Sequence, residues 1–234
     1  MILKDGLVFD LEQGFVQRDL YTDGSLISEA SGDNTVIDAT DCYVIPGLVD
    51  VHFHGCLGED FSDATREGLQ RIADFELSEG VTYITPTSMT LAEETLMEIC
   101  KNVAAHRAES TSGAEVVGAH LEGPFLSYAK RGAQNADFLR DPDADMLARL
   151  QQASDGCVKL MTMAPEQPNV STLSPTFREA FLLTELPFTV ISPVSISLTA
   201  REREISVFSA TKASNLSKLV SQISTSFSII LFPF

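Results

Sequence analysis

Two histidines one residue apart, His52 and His54, close the run Pro46-Gly-Leu-Val-Asp-Val-His-Phe-His-Gly55 and are the side chains in this sequence best placed for chemistry. On a β-strand an i, i+2 spacing points both imidazoles to one face. At a strand end they would offer two nitrogen donors to a single point, which suits Zn or Fe. The competing reading is two ordinary histidines, packed or at the surface and satisfied by hydrogen bonds. A second stretch, His120-Leu-Glu-Gly-Pro-Phe125, ends another run of β-formers. Glu122 is either the carboxylate that joins the two histidines or a surface glutamate beside a Gly-Pro turn. His120 shares the orientation of Glu122, and is read as a support to the metal ligands or as a structural histidine. Cys56, two residues after His54, is read as a buried structural thiol in preference to a ligand.

The elements that must position these residues alternate. Strands are expected over residues 49–54, 81–85, 115–121 and 157–163. Helices are expected over residues 65–78, with Gly80 as the stop, 92–108 and 143–152. Strand–helix alternation implies right-handed βαβ units and a parallel sheet. The polar clusters fall at the C-terminal ends of strands, the face on which a (β/α) barrel places its chemistry. Residues 1–45 read differently, as short β runs at 14–20 and 35–39 with turn signals at Asp5-Gly6, Asp23-Gly24 and Gly32-Asp33.

Composition narrows the function classes. With 33 acidic against 16 basic residues, nucleic acid and anionic membrane are excluded as expected partners, whereas a small anionic ligand is not. Lys4 and Asp5 interrupt the first apolar residues, so no signal peptide is expected, and the apolar run at residues 229–234 is far shorter than a membrane span. Cys42, Cys56, Cys100 and Cys157 are dispersed without a Cys-x-x-Cys pair, and a reducing, cytoplasmic setting is expected.

Five motifs then give a specific resemblance. The His52–His54 run, Thr85-Pro-Thr-Ser88, the Glu122 run, Lys130-Arg-Gly-Ala-Gln-Asn135 and Ala164-Pro-Glu166 stand in the order and spacing of the N-acetylglucosamine-6-phosphate deacetylases, within the metal-dependent amidohydrolase superfamily. The resemblance implies an α/β fold of the (β/α)8 TIM-barrel type with a small β domain. It implies Glu122 as a metal ligand and His52 and His54 as the pair that holds a second metal where members retain it, so one or two Zn or Fe ions. Ala133 matches the position that contacts substrate through its backbone, and Gln134 the position where other members place a histidine near the sugar phosphate. Lys130 and Arg131 are further candidates for the phosphate. The implied reaction is hydrolysis of the N-acetyl group of an amino-sugar phosphate, giving glucosamine 6-phosphate and acetate, by a homodimer when full-length. A dihydroorotase- or hydantoinase-like activity is the lesser alternative within the superfamily.

The last 64 residues depart from the pattern. They hold no glycine or histidine, thirteen serines, and 4 acidic against 5 basic side chains, where residues 1–170 hold 29 against 11. The family's further histidine ligands and its aspartate base have no counterpart, since no histidine follows His120 and no aspartate follows Asp155. Pro193 and Val194 stand near the position expected for the fifth strand's histidine. The expected organisation is a small β domain at residues 1–45, the first half of a barrel at 46–170, and an aberrant tail at 171–234, a translated frameshift or another unrelated replacement. Two functional readings follow: a deacetylase, or a non-catalytic remnant of one.

Overall fold

The computed structural model describes residues 1–23, 26–32, 34–173, 189–191 and 229–233. The chain divides into two compact units, Met1–Leu48 with Ala213–Phe234, and Val49–Lys212.

The first unit is a mixed sheet. Strands β1 (Ile2–Asp10) and β2 (Gly14–Asp23) form an antiparallel hairpin, β3 (Leu26–Ser28) pairs with β2, and β4 (Val36–Asp38) and β5 (Cys42–Pro46) lie parallel to β1. Leu3, Val8, Leu20, Ala39 and Val44 make its small core. Asp5-Gly6 is not the turn that its composition suggests. It is a bulge inside β1, where the register to β2 shifts, Asp5 takes φ 61, and its N–H donates to the Asp19 carboxylate at 2.9 Å. An Asx-Gly pair fits any left-handed position, whether in a turn or a bulge, so the dipeptide alone does not separate them. Gly24 and Asp33, which belong to the other two turn signals, lie outside the described residues.

The second unit alternates strand and helix. In order come β6 (Leu48–Asp50), the short hairpin β7 (Gly55–Cys56) and β8 (Glu59–Asp60), α1 (Arg66–Ser78), β9 (Val81–Ile84), β10 (Thr87–Ser88), α2 (Glu93–Glu109), β11 (Glu115–Val116), β12 (Ala119–Glu122), α3 (Ala144–Ala153), β13 (Val158–Thr162) and β14 (Thr189–Ile191). The sheet orders are β6, β9, β11 and β10, β12, β13, β14, with parallel pairing from β10 to β14. Within each of these two sheets the strands stand side by side in chain order, the order of an α/β barrel wall. The final described strand, β15 (Ile229–Pro233), runs antiparallel to β5 in the first unit.

The helices begin and end where their residues dictate. Thr65 caps α1 by accepting from Gly68 N–H, and Asp143 caps α3 by accepting from the N–H groups of Asp145 and Met146. Gly80, at φ +88, supplies the left-handed residue that stops α1. Their buried faces, Leu69, Ile72 and Ala73 on α1, Leu96, Ile99, Cys100 and Val103 on α2, and Met146, Leu147 and Leu150 on α3, join Ile84, Leu121 and Met161 of the strands in one apolar core.

Two strands differ from the expected ones, and one further short strand is present. The first stops at Asp50 instead of reaching His54. The third is cut in two, and the second, which ends at Ile84 close to its expected end, is followed by the short strand β10. Pro86 has no N–H for the ladder between β9 and β10. Between β11 and β12 the backbone changes partner, as Val117 donates to Ile84 O and Ala119 to Cys157 O.

His106 continues the buried stripe of α2 and is only 7% exposed. Burial, the largest effect, pushes its pKa below the ordinary 6.5, and the Arg66 charge acts the same way against an opposing pull from Asp74. A depressed folded-state pKa contributes stability that is complete above about 6.5 and is lost as pH falls below it. His106→Gln is therefore expected to flatten the loss of stability between neutral and mildly acidic pH, read as urea midpoints against pH. Ile99→Ala is expected to cost about 2–5 kcal/mol, and Asp143→Ala about 1 kcal/mol, in urea denaturation at neutral pH.

Candidate metal centre

The three side chains singled out in the sequence converge. The ligand atoms of His52, His54 and Glu122 all lie within 4.8 Å of one another, His52 being exposed and the other two half-buried. The His52 and His54 rings meet edge to face with centroids 5.4 Å apart. Strand alternation is not what brings them together, because the ladder has already ended. The Asp50 carboxylate accepts from His52 N–H at 3.0 Å, a local turn that competes with strand pairing.

What fixes residues 51–54 is a set of bonds from neighbouring strands. Thr87, on β10, accepts from Phe53 N–H through its hydroxyl at 3.2 Å and donates its own N–H to Phe53 O at 2.7 Å. Its carbonyl lies 3.0 Å from His54 Nδ1. His54 O in turn accepts from Phe61 N–H at 2.7 Å. Because a carbonyl can only accept, His54 Nδ1 carries a proton, and in the neutral ring Nε2 presents its lone pair.

That lone pair faces Glu122 Oε2 at 3.2 Å. Two acceptors at this distance repel unless a positive charge lies between them, either a proton on the ring or a bound cation. Two donors each 2.0–2.1 Å from one tetrahedral ion stand roughly 3.4 Å apart. Two imidazole nitrogens and one carboxylate oxygen, with the His54 tautomer already set, therefore fit a divalent ion such as Zn or Fe.

Glu122 is the last residue of β12. Its carbonyl accepts from the Thr90 hydroxyl at 2.9 Å. The next residue, Gly123, has φ +90, and a Cβ there would stand 2.2 Å from Thr90 Oγ1. Only glycine combines that conformation with so close a neighbour.

His120 is fully buried beneath these ligands. Its Nδ1 lies 3.0 Å from Val51 O, its Nε2 lies 2.8 Å from Thr162 Oγ1, and its ring is 4.9 Å from that of His52. Burial first, then the proximity of His52, pushes its pKa down to about 4.

The loop after β12 holds the other sequence candidates. Gln134 is buried, and its amide oxygen accepts from Thr90 N–H at 2.7 Å. Ala133 and Lys130 are exposed. Arg131 folds back on its own turn, with its guanidinium 4.2 Å from the centre of the Tyr128 ring and donating to Tyr128 O at 2.7 Å. Cys56 is half-buried with its thiol pKa raised, by burial first and then by Glu76 and Glu59, and it is not among the clustered donors. Pro193 and Val194 lie outside the described residues.

Sequence reasoning missed Thr87 and Thr162. Thr87 stands within one of the motifs shared with the deacetylases, but a threonine in a β run has no mark that separates a hydrogen-bonding residue from a β-branched strand former. Thr87→Val keeps the shape and removes the acceptor of Phe53 N–H. It is expected to destabilise the chain by about 1–3 kcal/mol in urea denaturation without added metal.

Known proteins resemble this chain over part of its length. N-acetylglucosamine-6-phosphate deacetylase of Lysinibacillus sphaericus is 34% identical over 127 residues, which cover 54% of this chain and 33% of that protein. The chain therefore spans about a third of the length of the curated relatives it matches. The crystal structure of N-acetyl-D-glucosamine-6-phosphate deacetylase from Mycobacterium smegmatis superposes with a TM-score of 0.66 at 26% identity, over 82% of this chain and 53% of that one. A mutant of that enzyme in complex with N-acetyl-D-glucosamine-6-phosphate superposes at 0.67 and 26% identity, over 82% and 49%. These likenesses give the second unit a TIM-barrel-like α/β fold with a segment that resembles N-acetylglucosamine-6-phosphate deacetylase. The sequence profile of the amidohydrolase family matches residues 43–181, more than half of the sequence, and the chain belongs to that family.

Proposed function

We propose that this chain carries the metal-ligating part of an amidohydrolase that hydrolyses the N-acetyl group of N-acetylglucosamine 6-phosphate to glucosamine 6-phosphate and acetate. The observation that carries the reading is the convergence of His52, His54 and Glu122 within 4.8 Å, with the His54 Nε2 lone pair aimed at the carboxylate. These three side chains would hold one divalent ion, Zn or Fe, without a ligand from further along the sequence. When bound, such an ion lowers the pKa of a coordinated water and polarises the substrate's acetyl carbonyl.

The chain's own groups do the positioning. Thr87 O keeps the proton of His54 on Nδ1, and Gly123 and Thr90 set the direction in which Glu122 leaves its strand. Gln134, bonded to Thr90, holds the loop that presents Ala133, whose backbone is the proposed substrate contact. Lys130, exposed on the same loop of a strongly acidic chain, is the cation offered to the sugar phosphate. A proton acceptor for the attacking water is needed as well, and no aspartate follows Asp155 to match the family's base.

That last observation favours a second reading, a non-catalytic remnant that retains metal binding. Acetate release from N-acetylglucosamine 6-phosphate by the purified 234-residue chain, assayed with added Zn or Fe, separates the two. Under the hydrolase reading, turnover is expected and disappears in Glu122→Gln. Saturable metal binding without turnover, weakened about a hundredfold in Glu122→Gln, supports the remnant. A chain that binds neither ion overturns both.

A further inference from the structure

We propose that His120 is a positioning residue for cation capture, which holds the peptide between Val51 and His52 and the His52 ring in the ligating arrangement. The proposal rests on the reading of His52, His54 and Glu122 as ligands.

The need for such a residue follows from His52 itself. His52 is exposed, it lies beyond the end of β6, and among the described residues its aromatic-ring contacts are His54 and His120. His54 is oriented by Thr87 O, whereas the orientation of His52 must come from the backbone that carries it and from the rings it touches. His120 acts on both. Its Nδ1 meets the Val51 carbonyl, which forms the peptide bond to His52, at 3.0 Å, and its ring lies at 67° to the His52 ring with centroids 4.9 Å apart.

The His120 ring is in turn over-determined. Val51 O can only accept, so Nδ1 carries the proton and Nε2 is left as the acceptor of the Thr162 hydroxyl at 2.8 Å. Thr162 ends β13 and stands in register with Glu122. One buried imidazole thus ties the loop that bears two ligands to the strand beside the third. Bonds at both ring nitrogens, with Thr87 Oγ1 a further 3.3 Å neighbour of Nδ1, lock a rotamer in a way that packing alone does not.

The test measures binding of Co2+ alone to the full 234-residue chain, with the visible Co2+ spectrum and the metal-free melting midpoint recorded beside the affinity. His120→Phe keeps a ring against His52 and loses the polar contacts to Val51 O, Thr87 Oγ1 and Thr162 Oγ1. It is expected to weaken Co2+ binding by about 10–100-fold and to change the spectrum. In His120→Asn the amide nitrogen can replace Nδ1 as donor to Val51 O, and most of the affinity is expected to return. Thr162→Val, a smaller change that serves if His120→Phe does not fold, is expected to weaken binding several-fold. The proposal is overturned if a folded His120→Phe, or Thr162→Val in its place, binds Co2+ with the affinity and spectrum of the unaltered chain. It is equally overturned if His120→Phe and His120→Asn lose affinity alike and in parallel with their melting midpoints, the mark of a purely structural role. Failure of the unaltered chain to bind Co2+ overturns the ligand reading itself, before any variant of His120 is compared.

Discussion

Residues 51–54 carry two of the three candidate ligands on backbone that no strand ladder supports, because β6 ends at Asp50. Buried backbone N–H and C=O groups must still find partners. Here Val51 O, Phe53 N–H and Phe53 O are met by His120 and Thr87, and His54 O by Phe61 N–H. The site depends on this substitution of side-chain for ladder bonding. In the tied loop the two imidazole rings stand edge to face, at 83°. The same bonds choose the His54 tautomer, so backbone satisfaction and ligand chemistry are one arrangement.

Electrostatics gives the arrangement its direction. His54 Nε2 and a Glu122 carboxylate oxygen stand 3.2 Å apart inside a chain of net charge −17, and without a proton or cation between them they form a local excess of lone pairs. The unfavourable contact is relieved by positive charge and by little else, which is the physical content of a cation site. Beneath it the environment has the opposite character. His120 is buried and held without charge, and Leu121 beside it faces the apolar core. The polar side of β12 and its apolar side thus alternate residue by residue, as a strand between a site and a helix layer requires.

The layer behind the strands explains why the site can be rigid at all. α1, α2 and α3 each turn an apolar stripe onto β9 to β13, and their capping residues fix where those stripes begin. With the strands held from behind, small displacements at their C-terminal ends are resisted by packing, and short polar side chains such as Thr87, Thr90 and Thr162 have fixed geometry to work from.

Much of this was legible in the sequence. Periodicity placed the three helices to within a residue or two, because caps at Thr65 and Asp143 and a glycine stop after α1 are local chemistry. The motif spacing singled out His52, His54 and Glu122, which the fold brings together. The break in the third strand was less legible, since a change of hydrogen-bonding partner between β11 and β12 depends on what lies alongside. The bulge at Asp5-Gly6 was read as a turn for the same reason: its conformation is local, but its consequence is decided by pairing with β2.

The sequence by itself determined the element types, the acidic balance, the identity of the three donors and the absence of histidine after His120 and aspartate after Asp155. Tertiary structure alone decided that Gln134 is bonded to Thr90, that Thr87 sets the His54 tautomer, and that His120 joins Val51 to Thr162. The reason is physical. Propensity and periodicity act over a few residues, whereas each of these bonds joins groups 33 to 69 positions apart, and their geometry exists only once the strands lie side by side.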